Sequence, residues 1–155
     1  MEILDGSDLN WLSLVEKMGQ LNTVEVDAGY LTSKIHPNSQ LSYAALATIH
    51  QYGSEKHNIP ERPFISDGAV LSQQGIIQAL PASYLNFLKS GNKESFKPIA
   101  KISGESIARA IAEQKFTKLS DITLKDRKSR NNPSSLILID EGYLINNIET
   151  DITQK

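Results

Sequence analysis

Apolar and polar positions along this chain follow two periods, and each change of period marks a new element. Leu9, Trp11, Leu12, Val15 and Met18 fall on one face of a helix that Ser7 is placed to cap and Gly19 to end. From Thr23 to Tyr30 the period shortens to two. Val24, Val26, Ala28 and Tyr30 lie on one side and Glu25 and Asp27 on the other, the pattern of a half-buried strand. A polar loop over 32–42, containing His36-Pro37-Asn38, leads to a small helix carried by Ala44, Ala45, Ala47 and Ile49, with Gly53 where a left-handed C-cap would end it. Pro60 and Pro63 each fix their own φ and press Ile59 and Arg62 toward extended geometry. Helix end, loop and proline re-entry thus make a rigid corner of residues 49–64.

Val70, Leu71, Ile76, Ile77, Leu80, Tyr84, Leu85 and Leu88 carry the stretch 66–90, which reads as two helices or as one helix kinked at Pro81. Gly91-Asn92 breaks it. Ser95 to Gln114 holds the best amphipathic pattern in the chain, with Phe96, Ile99, Ala100, Ser103, Ile107, Ala110 and Ile111 near helical spacing. A short basic helix is expected over 121–129, then a loop marked by Asn131-Asn132-Pro133. Asp140 is placed to cap a last short helix through Asn147, and Ile148, Thr150 and Ile152 alternate as a closing strand. The expected fold is α+β: one domain over 1–155, in which the strands near 26 and 150 pair as a small antiparallel sheet with helices packed on one face.

Composition narrows the functional classes. With 155 residues, 39% of them hydrophobic and 22% charged, the chain suffices for one self-supporting core. It has no apolar run of about 18 residues, so no membrane span is expected. Met1-Glu2-Ile3-Leu4-Asp5 lacks the order of a secretory signal. The absence of cysteine removes disulfide and thiolate chemistry and suits a reducing cytoplasm. A net charge of −2 argues against a surface that grips nucleic acid all round, and leaves local patches open.

Candidate chemistry is sparse. His36, His50 and His57 match no established ligand spacing and are expected to be structural or solvated, and a metal hydrolase built on them ranks third among the readings. No serine lies in a nucleophile elbow, and Ser90-Gly91 and Ser103-Gly104 lack the length and the following Lys-Ser/Thr of a phosphate loop. No catalytic residue, cofactor or metal is therefore expected. Lys125, Arg127, Lys128 and Arg130 form the one clear basic cluster. It reads as a solvated helix face beside Asp121 and Asp126, or as a contact for phosphate or an acidic partner. Arg62, held between two prolines, presents a guanidinium from a stiff backbone and suits a bidentate contact, within the chain or between subunits.

Three blocks of the chain also carry a resemblance. Ile49-His50-Gln51-Tyr52-Gly53 followed by Ile59-Pro60-Glu61-Arg62-Pro63-Phe64 is the first. Leu119-Ser120-Asp121-Ile122-Thr123-Leu124-Lys125-Asp126-Arg127-Lys128 is the second, and Leu138-Ile139-Asp140-Glu141-Gly142-Tyr143-Leu144-Ile145-Asn146-Asn147-Ile148 closes the set. In this order they resemble the neck and tail-completion proteins of tailed bacteriophages, the group that includes the virion-morphogenesis proteins of Mu-like phages and the minor tail protein Z of lambda-like phages. Gln51 and Tyr52 stand where that family usually has Glu and Phe, Glu141 where it has Thr, and Ile145 and Asn147 where Arg and Ser are common. The resemblance implies a structural protein that completes the tail or neck and makes it competent to join the head, working as a ring, six-fold by family analogy, among other neck and tail proteins around a channel that passes DNA. It implies a place in the virion after assembly in the host cytoplasm. His50, Tyr52, Gly53, Ile59, Pro60, Arg62, Pro63 and Phe64, with Leu138, Asp140, Gly142 and Leu144, then serve shape and packing. The competing expectation is a small nucleic-acid-binding protein using 125–130.

Overall fold

The computed structural model describes residues 11–132 and 134–155. The expected cap at Ser7 lies outside them. Helix α1 (Trp11–Leu21) runs through Gly19, which therefore does not end it, and turns at Gln20–Thr23 into strand β1 (Val24–Gly29). Helix α2 (Tyr43–Tyr52) is capped by Ser42, whose Oγ accepts from the Ala45 amide. After the corner come the long helix α3 (Phe64–Ser90) and then α4 (Lys97–Ala112), entered through a turn of 3₁₀-helix over Lys93–Phe96. Helices α5 (Asp121–Ser129) and α6 (Tyr143–Asn146) precede strand β2 (Glu149–Gln154). Pro81 stands inside α3 without dividing it, so of the two expected forms the single helix is found; its side chain is exposed, and only the bond its missing N–H would have made is lost.

The α+β expectation holds, with β1 and β2 antiparallel and Val26 opposite Ile152. Their inner face lies on α4, which is covered in turn by α3, giving layers of sheet, helix and helix. The outer sheet face is polar, with Glu25 opposite Thr153 and Asp27 opposite Asp151. A row of small residues lets α3 approach α4 closely, between Phe64 and Phe87, which are buried toward its two ends. Gly68, Ser72 and Ser83 are buried, and a Cβ at Gly68 would sit 2.7 Å from the Ile107 Cα. Val70 and Ile77 point to solvent, as do Trp11, Val15 and Met18 of α1, whereas the part-exposed Tyr84 sets its ring edge-on to the buried Phe96.

Two apolar clusters fill the interior. One gathers Phe64, Tyr43, Ala47, Ile107, Ile111, Leu138 and Leu144 where α3 begins and α4 ends. The other joins Phe87, Phe96, Ile99, Ala100 and Ile152 at the opposite end of the helix pair.

Candidate functional site

The corner is built by backbone geometry. Ser54 and Ile59 bond to each other in both directions at 2.8 and 2.9 Å around a 3₁₀ turn (Glu55–His57), and Asn58 takes a left-handed conformation. Gly53 has φ of 72° with ψ of −177°, an extended backbone of positive φ, not the left-handed helical cap expected. Its hydrogen faces Ile59 O and Glu61 N, each 2.9 Å from where a Cβ would lie. Only glycine fits there. The Arg62 amide donates back to His50 O at 2.7 Å, closing the corner onto α2. Pro63 then leads α3, whose first turn has no cap of its own. Gln51 supplies one from a distance: its Oε1 accepts from the Ile65 amide at 2.9 Å, and its Nε2 donates to Ser66 Oγ at 2.7 Å. Phe64 is fully buried behind the corner, as an architectural residue should be.

The closing motif is set by a clamp. Asp140 does not cap the last helix; Gly142, at φ of 76°, occupies that position. The Asp140 carboxylate turns instead to α5. It meets Arg127 Nε at 3.3 Å, Arg130 Nη2 at 2.9 Å and Asn132 Nδ2 at 2.6 Å. Arg127 is buried and donates through Nη1 to the carbonyls of Leu136 and Ser134 at 2.7 and 3.1 Å. In the turn that follows α4, Gln114 accepts from the Ile137 amide and donates to the Ile137 carbonyl. Bonds on both sides hold Leu138 at φ of 60°, a conformation a bulky side chain rarely takes. Leu138 and Leu144 both enter the core. Tyr30, whose phenol burial pushes to a raised pKa, donates to Leu144 O at 2.9 Å and ties the sheet to α6.

The basic cluster therefore splits. Arg127 faces inward, and Arg130 spans Asp126, Asp140 and Glu141, which hold it protonated more firmly than usual, Asp140 foremost. Lys125 and Lys128 remain exposed on α5. A phosphate contact through all four cations is not available in this arrangement.

Corner, α5 and closing motif enclose one cleft of about 1520 Å³. Tyr52, His50, Arg62, Arg127, Asp140 and Leu144 are among its lining, whereas Pro63, Phe64 and Gly142 stand behind it and Lys125, Lys128 and Arg130 outside. Arg62 is buried on its floor at 6% exposure, with Nη1 3.1 Å from His50 Nδ1. Burial first, and the Arg62 charge second, push the imidazole down to about 4, so it is neutral and Nδ1 acts as the acceptor. His36 packs edge-on against Tyr43 and Tyr143, and His57 Nδ1 meets Ser54 Oγ at 3.1 Å. Among the described residues no three His, Asp or Glu side chains converge as metal ligands.

Sequence reading missed Gln51 and Gln114 as structural keystones. Both are amides whose value lies in partners 14 and 23 residues away. No local signal distinguishes such an amide from a solvated one. Compared with known proteins, the chain matches no family model, no curated protein and no solved structure.

Proposed function

We propose that this chain is a structural, non-catalytic protein of a tailed-bacteriophage virion, acting at the head–tail junction as a neck, tail-completion or tail-terminator component. The observation that carries the reading is that the three sequence blocks resembling that family, far apart in the chain, line a single cleft. Gly53 and Pro60 shape its wall beside Ile59, Leu138 and Leu144, and the buried Phe64 anchors the corner from behind. Shape is what the blocks have in common.

The outward apolar rows support assembly. Val70 and Ile77 stand seven residues apart on the outer side of α3, and Trp11, Val15 and Met18 line α1. Two different apolar surfaces on one chain suit a heterologous contact, which repeated under rotation closes into a ring. In this reading six copies, by family analogy, surround a channel that passes DNA and meet other neck and tail proteins above and below. Nucleic-acid binding by the 125–130 segment is the weaker alternative, since only Lys125 and Lys128 of its cations are unpaired on the surface.

The test is the particle. Cryo-electron microscopy of purified virions should find the chain as a ring at the head–tail junction or tail end, and phage lacking it should accumulate unjoined heads and tails. Infectious, tail-joined particles formed without it would overturn the proposal.

A further inference from the structure

The two buried guanidiniums differ in how they are satisfied. Arg127 has two backbone carbonyls through Nη1 and the Asp140 carboxylate 3.3 Å away, although its Nε, like that of Arg62, lacks a hydrogen-bond partner. Arg62 has the neutral imidazole of His50; its Nε is buried without a partner, and among the described residues no carboxylate pairs with it. Desolvation, and then the nearby Arg127 charge, disfavour the Arg62 cation. A buried cation with only a neutral acceptor is a costly arrangement that a carboxylate relieves. Asp140, which lines the same cleft, is already shared among Arg127, Arg130 and Asn132.

Above this floor the rim is apolar in two places, with Tyr52 74% and Ile122 80% exposed. The volume exceeds the range of about 300–1,000 Å³ usual for small-molecule pockets, which suits a larger occupant such as a length of polypeptide. Glu55, Glu61 and Glu141 stand around it together with Lys56 and Lys118, a lining of mixed charge and not the one-signed surface that a run of phosphates requires.

We propose that the cleft is a docking site for a polypeptide segment carrying a single carboxylate flanked by apolar residues: the carboxylate meets the Arg62 guanidinium, and its apolar neighbours pack on Tyr52 and Ile122. The planar fork of Arg62 matches a carboxylate in two parallel hydrogen bonds and holds it with little loss of entropy, because the Pro60 to Pro63 backbone is stiff. This goes beyond the virion reading and does not depend on it.

The full chain, labelled with ¹⁵N, is titrated with the capped tripeptide Leu-Glu-Leu while the Arg62 Nε–H signal, assigned through its own bonds, is followed. A saturable shift is expected, with the Leu-Gln-Leu peptide at least about tenfold weaker. Tyr52→Ala, at an exposed site that leaves the fold intact, should weaken the peptide severalfold, and Arg62→Lys by about tenfold. The wild-type titration decides the matter even if Arg62→Lys fails to fold. No Arg62 shift, an equal response to the Gln peptide, or tighter binding of inorganic phosphate or a single-stranded oligonucleotide at Arg62 would each overturn the proposal.

Discussion

The two ends of the α3–α4 pair are held by different physics. At the Phe87 end, Phe96, Ile99 and Ile152 pack as rings and branched chains, and Lys93 donating to Ile152 O at 2.5 Å is the main long-range polar tie. At the Phe64 end an equally apolar cluster is wrapped in directed bonds: Gln51 to α3, Gln114 to Ile137, Arg127 to Leu136 and Asn132 to Asp140. Non-directional burial tolerates exchange of one apolar group for another. Directed bonds in a buried setting do not, since each lost partner leaves a donor or acceptor dry. The cleft belongs to the second kind of structure, and its walls are as specific as those bonds.

Phe64→Ala and Phe87→Ala test what the two ends share. Each empties a fully buried ring site and should cost about 3–5 kcal/mol, read as the midpoint of denaturant unfolding. A small loss at either position would show that the ends are not both packed cores.

Asp140→Ala should separate them, because it strips the buried Arg127 of its carboxylate. About 2–3 kcal/mol is expected, below the full cost of breaking a buried pair because Asp140 is about one-third exposed. Among the described residues no ion pair with a buried member is found at the Phe87 end. The Asp140 variant should also loosen residues 134–138, seen as faster amide exchange there than in α4.

Acid sharpens the same contrast. His50 is held near 4 in the folded chain against an ordinary value of 6.5, so between those limits the unfolded chain binds a proton that the folded one refuses. Stability is therefore complete above pH 6.5 and falls as pH drops toward 4, by on the order of 2 kcal/mol. His50→Gln should flatten that window. Glu113, held below the usual carboxylate range by Lys115 and Arg109, and Glu149, held there by Lys34, release their stabilisation only below their ordinary 4.5.

Gln51→Leu leaves the Ile65 amide at the start of α3 without its acceptor and should cost about 1–2 kcal/mol in thermal or denaturant unfolding. Gln51→Glu, the residue usual in the resembling family, should retain most of that bond. The smallest effect is expected at Lys125→Gln and Lys128→Gln, within about 0.5 kcal/mol, since both side chains are exposed. A larger loss would mean that α5 is held by more than Arg127 and Arg130.

Much of this molecule was legible without coordinates. The strand at 24–29, the helices near 43–52, 97–112 and 121–129, the closing strand and the antiparallel pairing all follow from period and from breaks such as Gly91-Asn92, because these are local properties of neighbouring side chains. The corner is equally local, since proline fixes its own φ wherever it stands. What period could not supply was direction. Val70 and Ile77 of α3 face water while Gly68, Ser72 and Ser83 are buried between Phe64 and Phe87, because closeness of approach to α4 as well as hydrophobicity decided which face turns inward. Nor could charge reveal that Arg127 points inward, that Asp140 serves α5 instead of capping α6, or that Arg62 lacks a counter-ion. Those outcomes depend on carbonyls and carboxylates delivered from distant turns of the chain, and only the folded structure brings them within hydrogen-bonding reach.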